Sequence, residues 1–154
     1  MSGRNYSPKL ATENVAAELI ALLCSAAREI GLKEHVSIPA NRPELLKWMK
    51  AQCEARRVWT LADGSTLQGM LILKENGAGI LYVVVAESFR GRGLGTTLTR
   101  HVQSLDIESL SAEARNDRSR RMLERCGFRL TGEVSSGHPM LLWRRSGTDA
   151  ISPE

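Results

Sequence analysis

The stretch I-L-Y-V-V-V-A-E-S-F-R-G-R-G-L-G-T, residues 80–96, constrains the fold of this chain more than any other. Residues 80–86 form an unbroken apolar run rich in β-branched side chains, the length and composition of a strand covered on both faces. A short polar break follows, with glycines at alternate positions 91, 93 and 95. Leu94, Leu98, Val102 and Leu105 then recur on one face of a helix. A strand that passes through a Gly-rich turn into a helix leaves several N–H groups unpaired and converging, with the positive end of the helix dipole behind them. Glycine permits the positive φ such convergence needs and lets an anion approach the main chain closely. The pattern predicts a cradle for a phosphate or diphosphate. A Gly-rich turn that holds no anion is the competing structural reading.

Two common phosphate motifs fail on spacing. There is no G-x-x-x-x-G-K-[ST], and G-R-G-L-G-T does not complete G-x-G-x-x-G, because position 96 is Thr. The pattern present is R-x-x-G-x-G, carried by Arg90, Gly93 and Gly95.

The rest of the chain supplies layers for this core. At 154 residues it is long enough for one domain, expected over residues 1–146 with a disordered polar tail at 147–154. Residues 1–11 promise only a frayed end or a short edge strand. Val15, Leu19, Leu22, Leu23, Ala26 and Ile30 recur at helical spacing, and Gly31 ends the run. Asn41 with Glu44 makes a cap pattern for a second helix to about Arg56, with Leu45, Trp48, Met49 and Cys53 as its buried stripe. Two apolar runs flank Asp63 and Gly64, a dipeptide that favours a tight hairpin, and a second hairpin at 75–79 leads into the central strand. After the Gly-rich turn and its helix, residues 109–114 form a further strand. Asn116 then opens a short helix, Gly127 stops it, and strands are expected at 128–134 and 140–144. The predicted fold is α/β in the α+β sense, with a mixed, mostly antiparallel central sheet flanked by helices.

Residues 116–128, N-D-R-S-R-R-M-L-E-R-C-G-F, form a second constellation. Elementary physics reads it as a capped helix packed on a sheet. Its N-x-x-[SA]-x-x-x-x-x-x-x-G-F spacing, following R-x-x-G-x-G in this order of strands and helices, resembles the paired signatures of the GNAT superfamily of acyl-CoA-dependent N-acyltransferases. The resemblance spans about residues 58–144 and implies a splayed central strand pair with acetyl-CoA as co-substrate and no metal. It implies that the backbone of Val83, Val84 and Val85 pairs with the pantetheine amides. The amides of Gly91, Arg92, Gly93, Leu94, Gly95 and Thr96, with Arg90 or Arg92 beside them, would hold the diphosphate. Asn116 and Ser119 would lie along the pantetheine arm.

The chain departs from the family at the proton-handling positions. Many relatives carry a Tyr after the Leu of the second signature, poised to protonate the departing thiolate, and here Leu123 stands there. The ribosomal-protein N-terminal acetyltransferases, which this region resembles, have a catalytic Glu five residues before the Asn, and that position is Ser111. Glu113 shares the strand face of Ser111 and is a candidate base, with a solvent-facing strand carboxylate as the plain alternative. His138 is a second candidate base, expected in the loop 135–139 that in this family borders the acceptor. Glu75 and Tyr82 are weaker candidates. The acceptor side would also include the loop at 33–40, with Glu34 and His35.

Composition sets the outer bounds. Hydrophobic residues make up 42% and charged residues 25%, values of an ordinary globular protein. No apolar run approaches the roughly 18 residues that span a bilayer, and the N-terminal segment lacks a signal-peptide core, so a cytoplasmic location is expected. The three cysteines show no metal-ligand spacing and read as reduced thiols. The net charge of +4 suits a polyanionic ligand of some kind. Basic residues without interleaved aromatics argue against nucleic acid. The expected activity is transfer of an acetyl group to a primary amine, on a small molecule or a peptide N-terminus. A non-catalytic acyl-CoA sensor is the alternative, followed by an enzyme for an RNA-bound amine. A homodimer is left open as a partner.

Overall fold

A computed structural model describes residues 7–26, 42–135 and 137–145. Within them the chain runs β1 (Lys9–Leu10), a 3-10 turn at Glu13–Val15, α1 (Ala16–Ser25), α2 (Arg42–Glu54), β2 (Val58–Asp63), β3 (Thr66–Leu73) and β4 (Gly79–Val85). A second 3-10 turn, Glu87–Phe89, precedes α3 (Leu94–Gln103), β5 (Ser109–Glu113), α4 (Asp117–Arg125), β6 (Arg129–Ser135) and β7 (His138–Arg144). The strands form one sheet in the order β1-β2-β3-β4-β5-β7-β6. Every neighbouring pair is antiparallel except β4 and β5, which are parallel. A parallel pair needs a crossover, and α3 supplies it.

The sheet separates two cores. On one face Leu71, Ile80, Leu110, Ala112 and Leu141 pack with Leu94, Leu98 and Val102 of α3 and Met122 and Leu123 of α4. On the other, Val58, Met70, Ile72 and Val84 meet Leu19, Ile20 and Leu23 of α1 and Met49 and Cys53 of α2. Both faces of β4 are thus covered, as its unbroken apolar run requires. The cysteines are free thiols, and burial raises the pKa of Cys53 and Cys126.

Three local features differ from expectation. The first helix begins as a 3-10 turn and becomes regular only at Ala16. The hairpin between β2 and β3 turns through Gly64 and Ser65, because Asp63 still pairs with Thr66, and Gly64 takes φ +64°. His138 is the first residue of β7 instead of a loop residue, since Ser135 pairs with it directly across a tight turn in which Gly137 has φ +81°. The expected stop at Gly31, the cap at Asn41, the acceptor loop at 33–40 and the tail at 147–154 lie outside the described residues.

Candidate active site

One extra residue in β4 creates the site. Ile72 pairs with Tyr82 and Leu73 with Ile80, so Leu81 is a bulge with no counterpart in β3. A bulge bends its strand and reverses which residues face which neighbour. Before it, the Ser111 N–H donates to the Ala78 carbonyl on the β5 side, and the Lys74 N–H to the Gly79 carbonyl on the β3 side. After it, the Ala86 N–H donates to the Gln68 carbonyl of β3, so even-numbered residues now face β3. Odd-numbered residues face the other way, toward β5. The β5 ladder, however, ends at Gly79↔Ser111 and Ile80↔Ala112. Beyond that point the two strands part, and the main-chain groups of Val83 look into a gap.

The ends of this open edge are held by arginines. Arg115 donates from Nη1 to the Leu81 carbonyl at 2.9 Å, and Arg90 donates from Nε to the Val85 carbonyl at 3.2 Å. The gap opens into a cavity of about 280 Å³. It is lined by β4, the Gly-rich turn, the start of α3, β5 and α4. Val83 and Val85 therefore present backbone to the cavity. Val84 also lines it, but its side chain is buried in the second core and its ladder groups face Met70 of β3.

At one end lies the glycine turn. Gly91 and Gly93 have φ of +81° and +76°, and Gly93 is the N-cap of α3. A Cβ on either would meet nothing within 4 Å, so open space lies in front of both. Gly95, already helical, faces Val83, Val85 and Met122 across the cavity floor. The N–H groups of the first turn of α3 have no intrahelical partner and carry the positive end of its dipole. Together with Arg90 this set fits a diphosphate. Arg92 points elsewhere: its guanidinium lies over the Phe89 ring, 5.2 Å from the centroid, and it does not line the cavity.

The second helix start completes the frame. Asn116 caps α4 by accepting the Ser119 N–H at 2.8 Å, and both residues line the cavity. Arg118 and Arg125 add positive charge to that wall. Side chains of α3 fix α4 in place. Gln103 donates to the Cys126 carbonyl at 2.8 Å, Arg100 to the Arg125 carbonyl at 3.0 Å, and the Thr99 hydroxyl meets the Met122 sulfur at 3.4 Å. Leu123, at the position of the family Tyr, is buried and lines the cavity, where it can donate no proton.

On the far side of the fork sit Tyr82, Glu113 and Arg115, all lining the cavity. Arg115 Nη2 pairs with Glu113 Oε1 at 2.9 Å, and the guanidinium lies 5.0 Å from the Tyr82 ring centroid. Burial pushes the Tyr82 phenol up, against the lowering charge of Arg115. His138 is not among the lining residues. Its strand runs beside β5, with Met140 opposite Glu113, which puts His138 beyond the end of β5. Of the residues the sequence singles out, the structure brings the glycine turn, Asn116, Ser119, Glu113 and the weaker candidate Tyr82 to one cavity, to which it adds Arg115. The available signal was Arg115 directly before Asn116, lost among neighbouring arginines. Among the described residues no group of three or more His, Cys, Asp or Glu is placed to hold a metal ion, and no helix is long and apolar enough to cross a membrane.

A forked parallel pair with a glycine turn and two helix starts around it is thus the frame of the site. The model of the Acetyltransferase (GNAT) family matches residues 32–128, more than half of the chain. The chain belongs to that family. No curated protein matches it significantly in sequence. Among solved structures, it is similar to a GCN5-related N-acetyltransferase from Rhodopseudomonas palustris, with TM-score 0.72 and 15% identity over 94% of this chain and 99% of the other. The Paia N-acetyltransferase of Thermoplasma acidophilum, in complex with coenzyme A, gives 0.69 and 13% over 92% and 100%. YncA of Salmonella typhimurium, with its cofactor acetyl-CoA, gives 0.67 and 16% over 92% and 94%.

Proposed function

We propose that the protein transfers an acetyl group from acetyl-CoA to a primary amine by direct attack, without a covalent enzyme intermediate. The observation that carries this reading is the bare edge of β4 at Val83, lying between the Leu81 bulge and the glycine turn. That edge supports pairing with a pantetheine arm as an added strand. The turn residues Gly91, Gly93, Leu94, Gly95 and Thr96 hold the diphosphate, with Arg90 beside them. Asn116 and Ser119 line the arm. Two structures similar in fold hold coenzyme A or acetyl-CoA, which supports the same ligand here.

Acetyl-CoA supplies an activated thioester. The main chain of Val83 stabilises the charge that develops on the acyl oxygen, as fixed N–H donors do in a dry site. The acceptor ammonium, of pKa about 10, must lose a proton before it attacks. Glu113 is the carboxylate beside the fork and accepts that proton directly or through water. Leu123 supplies no acid, and none is essential, because a thiol of pKa about 8.5 leaves tolerably near neutral pH. Among the described lining residues Glu113 is the only carboxylate, and it is already paired with Arg115. A polycationic acceptor would need several carboxylates to replace its hydration, so a small, singly charged amine or a peptide N-terminus fits better.

Calorimetry with acetyl-CoA, followed by a scan of amines for release of the CoA thiol, tests the proposal. Binding together with turnover of at least one amine supports it. Binding with no turnover across small amines, peptide N-termini and aminoacylated RNA makes the protein an acyl-CoA sensor.

A further inference from the structure

The fork between β4 and β5 is closed at its base by a single guanidinium. Leu81 and Tyr82 belong to one arm and Glu113 to the other, and Arg115 contacts all three. The Leu81 carbonyl is the group that the bulge turns toward β5 just where the ladder stops, so no strand partner reaches it. Arg115 Nη1 takes the place of that partner, and Nη2 holds Glu113 at the same distance, 2.9 Å. The Arg115 and Glu113 side chains are only 18% and 13% exposed, so water competes little for either bond.

We infer that Arg115 is a positioning residue: a brace that keeps β4 and β5 apart at the width the site needs and holds Glu113 at the edge of the gap. The inference rests on the acetyltransferase reading above. The planar fork of a guanidinium suits the task, because it aims two N–H groups at two acceptors on different strands while its face lies on an aromatic ring. A lysine ammonium is a compact point charge on a flexible stem and cannot set both directions together. Two of the five guanidinium N–H groups of Arg115 are spent on these two strands.

The test compares the wild-type chain with Arg115→Ala and Arg115→Lys. It measures acetyl-CoA affinity, kcat and KM for an amine that turns over, thermal stability and amide hydrogen exchange. A small misplacement of the reacting groups costs about 100-fold in rate. Arg115→Ala is therefore expected to lose about that much in kcat, with acetyl-CoA affinity changed less than about tenfold. Millimolar guanidinium should restore at least part of the lost kcat. Arg115→Lys should stay close to the alanine variant, and in both variants exchange in β4 and β5 should quicken while α1 and β2 are unchanged. Wild-type kcat in Arg115→Lys overturns the brace, since charge alone would suffice. So does a folded alanine variant with lowered stability but unaltered kcat, or one that guanidinium does not rescue. Should the alanine variant fail to fold, the kcat and exchange of Arg115→Lys decide alone. A wild-type chain that binds acetyl-CoA without any turnover overturns the catalytic reading instead, and the brace is then judged by exchange.

Discussion

The Asn116 side-chain oxygen accepts the Ser119 N–H at 2.8 Å, while the Ser119 hydroxyl oxygen lies 3.4 Å from the Asn116 N–H. This reciprocal pair satisfies two donors at the start of α4 and forms part of the cavity wall. The helix cap and the cavity lining thus meet at one helix end.

Removing the cap should show in both stability and ligand binding. Asn116→Ala is expected to lower stability by about 1 kcal/mol in urea denaturation and to weaken acetyl-CoA binding in calorimetry. Asn116→Asp keeps an acceptor oxygen and should recover most of the stability. An Asn116→Ala variant that loses affinity with no change in the urea midpoint would show that the cap is dispensable.

Gly93 and Gly64 separate backbone strain from ligand contact. Both have positive φ, +76° and +64°, and a Cβ would meet nothing within 4 Å at either. Valine at either site should cost roughly 1–2 kcal/mol through the left-handed backbone alone. Only Gly93 faces the cavity. Gly93→Val should therefore abolish acetyl-CoA binding, while Gly64→Val leaves it intact. Equal loss of binding in both variants would trace the effect to destabilisation and not to the cradle.

Much of this site is written in local pattern. A β-branched run, alternate glycines and an Asn three residues before a Ser each dictate a nearby backbone geometry, so β4, the turn and the α4 cap are legible in sequence. The Leu81 bulge is not. Nothing in I-L-Y-V-V-V marks which residue is extra, because all six are apolar or aromatic, and the choice depends on register with β3. Arg90 and Arg92 look equivalent two positions apart, yet one bonds the Val85 carbonyl and the other stacks on Phe89. Arg115 gains its role only when two strands distant in sequence part beside it. The place of His138 is hidden for a similar reason: strand or loop at that position turns on the length of a hairpin, which pairing across the sheet decides.

The half-buried pair Trp59 and His101 gives a pH prediction. Their rings meet edge-on at 4.3 Å, and Trp59 Nε1 and His101 Nε2 are buried without a hydrogen-bond partner. Burial lowers the His101 pKa, so the folded state favours neutral imidazole. The unfolded chain, with imidazole near its usual value of about 6.5, then binds more protons than the folded one. Stability is fully present above that value and is lost as pH falls toward the lower folded pKa. His101→Phe should flatten this part of the stability profile in urea titrations across the mildly acidic range. A slope identical to wild type would exclude His101 as its source.

The last prediction concerns the proton path, where two candidates occupy different positions. Glu113 lines the cavity and is held by Arg115, whereas His138 begins β7 outside the lining. A general base in the transition state contributes about 10²–10⁴-fold to rate. Glu113→Gln preserves size and hydrogen bonding but cannot take the proton, so it should lower kcat by roughly that factor with acetyl-CoA affinity little changed. His138→Ala should keep kcat within about threefold, a minor effect on the transition-state scale. The reverse ranking would move the base to His138 and require the β6–β7 turn to approach the fork when an amine is bound. Equal, small effects in both variants would leave solvent to carry the proton. A solvent isotope effect on kcat that persists in Glu113→Gln would then mark a water-mediated path.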